Sequence, residues 1–228
     1  GTFVNAAGFS DSPHLFYSGY DKKGEWFQLF QIGFGGVPGR PLGDGPDGHS
    51  LWPAFTNVPN EFIEAYFPLR IEKYQTIPDS GGAGLFRGGN GLNVAYRFLC
   101  DGEIGIHDDR WLTYPWGVNG GEPGQRSTKI LERIDGTKEV LAAKCEGIKV
   151  NEGDLLHFNT WGGGGWGDPY LRDPQLVLSD IKKRLVSSHG AIRYGVVITE
   201  NECINKIETD SLRKKLINDR GPDIPMFN

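Results

Sequence analysis

The segment PDSGGAGLFRGGNG, residues 78–91, places six glycines beside Asp79, Arg87 and Asn90. Such a loop either cradles a phosphate or lets the backbone turn and pack closely. It lacks the Gly-Lys-Ser/Thr ending that provides a P-loop with its phosphate lysine and its metal-binding hydroxyl. We therefore predict that its glycines permit turns and close backbone packing that side chains would forbid. These scaffold glycines are Gly81, Gly82, Gly84, Gly88, Gly89 and Gly91.

A second glycine run, TWGGGGWGDP, occupies residues 160–169. This run contains one of two matches to the dinucleotide pattern G-x-G-x-x-G; the other lies at residues 43–48. The pattern binds pyrophosphate only where it follows a strand and opens a helix. Because Pro46 lies within the first match and Asp168-Pro169 follows the second, we favour tight turns for both. The second run adds Gly162, Gly163, Gly164, Gly165 and Gly167 to the scaffold glycines.

Three charged side chains in these runs are candidates for contact with a substrate or an intermediate. Asp79 and Arg87 would lie in one constrained loop, and Arg binds carboxylate or phosphoryl groups through two donors. Alternatively the two residues pair with each other and close the loop, which we favour because loop ion pairs often serve only structure. Asp168 has a similar ambiguity and would otherwise cap a turn. No catalytic residue is identified.

The composition predicts a globular chain, not a fibrous or disordered one. Among 228 residues there are 34 glycines, but they have no three-residue period, and aromatic residues are plentiful. The formal charge of -5 gives no reason to expect binding to nucleic acid or to an acidic membrane surface. We find no internal repeat and no convincing boundary within residues 1–228, so we treat them as one unit.

Metal-binding and disulfide patterns are weak. The three cysteines are widely spaced and lack a CxxC pair, which predicts neither a disulfide framework nor a zinc cluster. His107 and Asp109 would share one face of a strand, but two groups do not complete a metal site. We therefore expect this chain to hold no metal and no cofactor. The absence of a bilayer-length apolar run and of a signal peptide favours the cytoplasm.

The pattern of elements predicts an α+β fold dominated by strands, with mixed or antiparallel sheets, a few short helices and long glycine-rich loops. Turn residues at 21–24, 101–102 and 135–136 predict three hairpins. Helices are predicted within residues 57–69, 173–186 and 209–221. The last of these would begin at Thr209 as N-cap and end at Gly221.

Two further segments carry predictions that the structure tests. Residues 191–198, AIRYGVVI, are strand-like, and residues 35–53 contain too much glycine and proline for a regular element. A cluster of aromatic residues near the start is either an exposed subunit interface or part of the core. This cluster comprises Phe16, Tyr17, Tyr20, Trp26, Phe27 and Phe30.

Three long motifs occur in order: residues 57–92, residues 115–124 (PWGVNGGEPG) and residues 150–198. Together they resemble the hydantoinase B/oxoprolinase family, whose members include subunits of N-methylhydantoinase, caprolactamase and the acetone and acetophenone carboxylases, and half of ATP-dependent 5-oxoprolinase. The chain resembles only the C-terminal portion of that family. The family's His- and Asp-rich N-terminal segment, which resembles a metal site, has no counterpart here. The missing initiator Met also suggests a piece of a longer polypeptide.

The resemblance implies a role in ATP-dependent hydrolysis of a cyclic amide such as a hydantoin, a lactam or 5-oxoproline. A hydantoinase A-type ATPase subunit would phosphorylate the amide oxygen, and the missing N-terminal portion would supply a divalent metal. ATP and metal are thus expected elsewhere in a complex, and the chain is expected to be inactive alone. Two alternatives stay open: part of an ATP-dependent ketone carboxylase, and a non-catalytic assembly domain.

Overall fold

The computed structural model describes residues 3–8, 13–49 and 58–227. Nine strands and three α-helices lie within these ranges. The strands are β1 (His14–Tyr20), β2 (Trp26–Ile32), β3 (Leu69–Thr76), β4 (Leu92–Phe98), β5 (Gly102–His107), β6 (Thr128–Glu132), β7 (Lys138–Val140), β8 (Lys144–Val150) and β9 (Leu155–Asn159). The helices are α1 (Asn60–Tyr66), α2 (Pro174–Lys182) and α3 (Lys206–Arg220).

The strands form two antiparallel sheets. One sheet has four strands in the order β2-β1-β5-β8, and the other has five in the order β3-β4-β9-β6-β7. The inner faces of both sheets contribute to one hydrophobic cluster, in which the rings of Tyr17 and Phe98 lie 4.8 Å apart. In β2, β6 and β9 the residues alternate between this core and the outside, as the two-residue period of a strand requires. The predicted β-rich α+β fold is confirmed.

Two of the three predicted hairpins are confirmed. β1 pairs with β2 across the turn after Tyr20, and β6 pairs with β7 across Asp135-Gly136. The prediction at Asp101-Gly102 is wrong, because β4 and β5 belong to different sheets. β4 pairs with β3 and β9, so the Asp-Gly pair carries the chain from one sheet to the other. A local turn signal does not specify which strands pair.

All three helices lie in the predicted segments, but α3 begins at a different residue from the one predicted. Asp173 accepts a hydrogen bond from the backbone N–H of Gln175 and caps α2. α3 ends at Gly221, which has a left-handed φ of 80°, as predicted. Its N-cap is Asn205, not Thr209. Thr209 is buried one turn inside the helix, where its hydroxyl accepts from Val197 N–H at 3.0 Å.

Residues 191–198 do not form the predicted strand. Gly190–Tyr194 is a 3-10 helix that ends at Gly195, which adopts the left-handed conformation. Ala191, Tyr194 and Val196 pack in a second, smaller core with α2.

The glycine- and proline-rich segment after β2 is irregular, as its composition predicts. Residues 35–49 form turns and isolated bridges, such as the one between Gly35 and His49. The rest of that prediction, residues 50–53, lies outside the described residues. In the part of the chain that the structure describes, no helix has both the length and the apolar character needed to cross a membrane.

Candidate functional site

The glycine-rich segments meet in one bundle beside the sheets. We call this the glycine bundle: residues 36–46, 81–91, 117–124 and 162–167. Their backbones hydrogen-bond directly, from Gly82 N–H to Gly163 O, from Gly163 N–H to Gly89 O, and from Gly165 N–H to Glu122 O, each at 2.8 Å. The segments are far apart in sequence, so these bonds connect the middle third of the chain with the last third.

Space explains the glycines at the contacts between these segments. A Cβ on Gly162 would lie 1.8 Å from the carbonyl oxygen of Ser80, and one on Gly88 would lie 1.9 Å from that of Gly163. Neither glycine has a left-handed φ. The requirement is therefore close approach of one backbone to another, as at the axis of collagen, where only glycine fits. Gly167 differs, because its φ of 75° is left-handed.

Arg87 lies in a buried network of ion pairs at the edge of this bundle. Its guanidinium donates to both carboxylate oxygens of Asp47, at 2.7 and 3.0 Å, and its Nε lies 3.5 Å from Asp180. Asp180 also accepts from Arg172 at 2.8 Å. Arg172 binds Asp44 through two further hydrogen bonds of 2.7 and 2.8 Å. Two arginines and three carboxylates thus join three separate segments of the chain.

The electrostatics of this network favour its charged form. Burial by itself would lower the pKa of Arg87, but Asp47 and the two other carboxylates raise it overall. Burial would likewise raise the pKa of Asp44, whereas hydrogen bonds and charge from Arg172 lower it overall. Contact of Arg87 with a substrate anion stays a prediction, and it would require that anion to compete with Asp47.

Asp79 engages other partners, so the predicted Asp79–Arg87 pair is not formed. Its Oδ1 accepts from Ser187 N–H at 2.9 Å, and its carbonyl accepts from Arg193 at 2.9 Å. Asp79 has a left-handed φ of 62°. Gly190 is pressed against its carboxylate, since a Cβ there would lie 2.0 Å from Oδ1. Asp79 thereby fastens the 187–193 segment to the start of the first glycine run.

Asp168 caps a turn at the end of the second glycine run. Its Oδ1 accepts from Tyr170 N–H at 2.9 Å, and its Oδ2 accepts from Arg220 at 2.8 Å. The side chain is almost fully buried. The capping interpretation therefore accounts for the Asp168 contacts, while a role toward substrate stays a prediction. The three candidates have separate sets of partners.

A cleft of about 650 Å³ opens where β5 ends, lined by residues 108–113 and 142–144. Arg110 has a left-handed φ of 58° there, which is uncommon for a non-glycine residue. Its Nε donates to Gly8 O at 2.8 Å, and its guanidinium lies 5.2 Å from the ring of Trp116. Strained backbone of this kind often lies at functional sites.

A buried lysine–aspartate pair lies beside this cleft, and its aspartate, Asp108, is one of the lining residues. Lys129 and Asp108 are both inaccessible, and the Lys129 ammonium donates to Asp108 and, at 3.0 Å, to Asn159 O. It also lies 4.1 Å from the ring of Phe158. Burial lowers the pKa of Lys129 and raises that of Asp108, and each partner opposes only part of that effect.

Sequence reasoning missed Lys129, although a signal was present. Lys129 and Leu131 are two residues apart in β6, and Leu131 lies in the core, so the two side chains share the inner face. A lysine on that face requires a buried partner. The partner, Asp108, follows β5, which lies in the other sheet.

The His107 and Asp109 pair adjoins the same cleft. His107 lies opposite His14 on β1, with the two rings 5.5 Å apart, and Asp109 lies 3.7 Å from Lys144. Within residues 3–8, 13–49 and 58–227, no three His, Cys, Asp or Glu side chains come together as a metal site would require.

The chain matches the model of a known protein family. Residues 1–169 match the family model described as hydantoinase B/oxoprolinase. An uncharacterized protein of Methanocaldococcus jannaschii is 39% identical over 161 residues, which cover 69% of this chain and 28% of that protein. A Pseudomonas sp. protein, described as the B-type subunit of a putative D-/L-hydantoinase, is 31% identical over 214 residues, covering 92% of this chain and 36% of its own length.

A solved structure shares the fold. The ATP-dependent caprolactamase of Pseudomonas jessenii superposes with a TM-score of 0.78 at 25% identity, covering 92% of this chain and 38% of the solved chain. The chain thus spans roughly a third of the length of each of these relatives.

Proposed function

Because the chain belongs to the hydantoinase B/oxoprolinase family, we propose that it is the C-terminal portion of an ATP-dependent cyclic-amide hydrolase. It would act with the rest of a family-length subunit and with a hydantoinase A-type ATPase subunit. The observation that carries the proposal is the similarity to a B-type hydantoinase subunit over 92% of the chain, together with the caprolactamase fold.

The chemistry of this reaction explains the need for ATP. An amide is a poor electrophile, and phosphorylation of its oxygen makes the carbon easier for water to attack. The ring C–N bond then breaks with the nitrogen leaving as an amine, and hydrolysis of the resulting acyl phosphate gives the carboxylate and phosphate. ATP would be bound by the ATPase subunit. A divalent metal would likewise be bound by the remainder of the assembly; the described residues bring no three His, Cys, Asp or Glu side chains together.

In this proposal the chain supplies a rigid wall for the reaction chamber. Most glycines of the glycine bundle have no room for a Cβ, and the ion pairs of Arg87 and Arg172 join the segments around residues 44, 87 and 172. Such a scaffold holds the cleft lined by Asp108 and Arg110 in a constant geometry. Preorganised groups cost no reorganisation when charge develops in a transition state.

The test is ring opening by the reconstituted assembly. The chain is combined with the remaining portion of the subunit and the ATPase subunit, and offered a hydantoin, a lactam or 5-oxoproline with ATP. We expect the ring-opened product and ADP to form together, and neither to form with the chain alone. Gly163→Ala should abolish turnover, and Gly105→Ala should leave it intact, since a Cβ on Gly105 meets its neighbours only at 3.6 Å or more.

The same assay separates the two alternatives. ATP-dependent consumption of bicarbonate with a ketone, without ring opening, would identify a carboxylase and contradict our proposal. Intact assembly with no turnover of either substrate class would identify an assembly domain. Arg87→Ala does not discriminate here, because removing this buried partner of Asp47 and Asp180 disturbs the fold as well as any substrate contact.

A further inference from the structure

The outer face of the four-stranded sheet exposes large aromatic side chains. Strand alternation divides the aromatic cluster of the first thirty residues: Tyr17 and Phe27 lie in the core, and the others point outward. The exposed fractions are 39% for Phe16, 65% for Tyr20, 58% for Trp26 and 50% for Phe30. Tyr17 and Phe27 thus belong to the core, whereas an interface role for the four exposed side chains stays a prediction.

On β1 and β2 these side chains form two cross-strand pairs. Phe16 and Phe30 are cross-strand partners with stacked rings 4.9 Å apart, and Tyr20 and Trp26 are partners 5.2 Å apart. A cleft of about 290 Å³ lies between Trp26 and Tyr66 of α1. Tyr66 in turn contacts Phe62 at 4.4 Å. We call this surface the aromatic face: Phe16, Tyr20, Trp26, Phe30, Phe62 and Tyr66.

We propose that the aromatic face is the docking surface for the remainder of a family-length subunit. This inference rests on the proposed function for the identity of the partner. The length of the relatives supports it, since the matching part makes up only 38% of the solved caprolactamase chain and 36% of the hydantoinase subunit. Most of such a polypeptide must therefore pack outside the fold described here.

The size of the aromatic face fits a contact within one subunit. At roughly 200 Å² for each aromatic side chain, about half of it exposed, the six residues offer roughly 650 Å². Counted on both partners this is about 1,300 Å², within the 600–1,500 Å² typical of contacts between domains of one chain. Complexes between independent proteins bury roughly 1,200–2,000 Å², so this area would also suit a second copy, which the cross-linking experiment below distinguishes.

The chemistry of the face also specifies its complement. One pair of polar residues, Ser18 opposite Gln28, lies between the two aromatic pairs on the same face. The ion pair between Lys149 and Glu103 lies on neighbouring strands of this sheet. We expect a largely apolar surface with a few polar groups, which is the anatomy of a specific contact with a polar rim.

Photo-cross-linking in the assembled protein tests the proposal. The photoreactive residue p-benzoylphenylalanine replaces Phe30 in one variant and Ile207 in a matched control. Ile207 is an apolar residue of α3 that is 83% exposed and lies outside the aromatic face. We expect position 30 to cross-link to the portion of the subunit that lies outside these 228 residues, and position 207 to give no such product. A cross-link from position 30 to the ATPase subunit or to a second copy, or no cross-link, would overturn the proposal.

A charge substitution measures the strength of the contact. Trp26→Glu should weaken association with the rest of the subunit at least tenfold, while Ile207→Glu should leave it unchanged. Because Trp26 is exposed, the unfolding midpoint of the isolated chain should stay the same in both variants. Equal affinity of the two variants would contradict the proposal. Neither experiment requires turnover, so failure of the proposed reaction and failure of this docking surface are distinguishable.

Discussion

The core between the sheets and the glycine bundle are stabilised in opposite ways. In the core, Leu131 and Leu156 are fully buried and fill space with their side chains. In the bundle, Gly89 and Gly163 leave space, which the carbonyl groups of Pro46 and Val37 occupy. Removal of apolar area from water stabilises the core. Backbone hydrogen bonds between segments stabilise the bundle.

Because of this difference, the core and the glycine bundle tolerate different substitutions. A core residue can lose volume at a cost that grows with the cavity left behind. A bundle glycine has no side chain that could be removed, and at most of these positions there is no room for an added one. The neighbouring atoms belong to the backbone of another segment, which cannot rotate away as a side chain can. We expect the smallest possible addition, a methyl group, to be worse in the bundle than a large deletion in the core.

The largest effect is expected for Gly163→Ala. Its Cβ would lie 2.3 Å from Val37 O and 2.5 Å from the adjoining carbonyl carbon, so two segments would have to separate. We expect a loss of more than about 4 kcal/mol in the free energy of unfolding, measured by denaturant titration. Gly105→Ala is the matched control in a strand and should change stability by less than about 1 kcal/mol.

Removing a charge from the buried network should have the next largest effect. Arg172→Met leaves Asp44 and Asp180 without their shared partner, which we expect to cost about 3–5 kcal/mol. The exposed pair of Lys22 and Glu152 provides the comparison, and Lys22→Met should cost no more than about 1 kcal/mol. If both variants lost the same free energy of unfolding, the ion-pair network would contribute little to the stability of the bundle.

Leu131→Ala tests how much core packing contributes to the free energy of unfolding, measured by the same denaturant titration. Leu131 is fully buried, and its truncation should cost about 2–4 kcal/mol, because the cavity collapses only in part. Val140→Ala, at an exposed strand position, should change stability by less than about 0.5 kcal/mol. If Leu131→Ala proved more damaging than Gly163→Ala, the contrast between the two regions would fail.

The smallest effect concerns acid stability. Because the pKa of Asp44 is lowered in the folded state, its ion pair stabilises the fold above the unfolded value near 3.9, and this contribution is lost as pH falls through the lower folded value. Asp44→Asn should therefore be less stable than the parent chain at pH 6, with the difference narrowing toward about pH 3. Asp219→Asn, an equal change of net charge on the exposed side of α3, controls for overall charge. A difference that stays constant with pH would contradict the assignment.

Local patterns predicted much of the fold because their causes are local. The β1–β2 and β6–β7 hairpins follow from turn residues between strand-like runs, and α3 ends at Gly221. Predictions failed where contacts with residues far away in the sequence determine the local structure. Asp101-Gly102 connects two sheets instead of closing a hairpin, and Thr209 bonds to Val197 instead of starting α3.

The candidate site divides in the same way. The sequence located the glycine runs and the three charged residues in them, but it assigned the wrong partner to Arg87. Asp47, which binds Arg87, is forty residues away. Nothing in the sequence near either residue marks that pair, because it depends on how segments fold onto each other. The buried Lys129 and Asp108 pair was missed for the same reason.

By itself, the sequence determined the strand-rich composition, the positions of α1 and α2, the glycine runs and the family resemblance. Alternation, capping and turn chemistry act over a few residues, so they are readable without a structure. Only the tertiary structure decided that the glycines are needed for space, that Arg87 belongs to Asp47 and Asp180, and which aromatic side chains are exposed. These properties depend on contacts between segments far apart in the chain, and such contacts form only when the chain is folded.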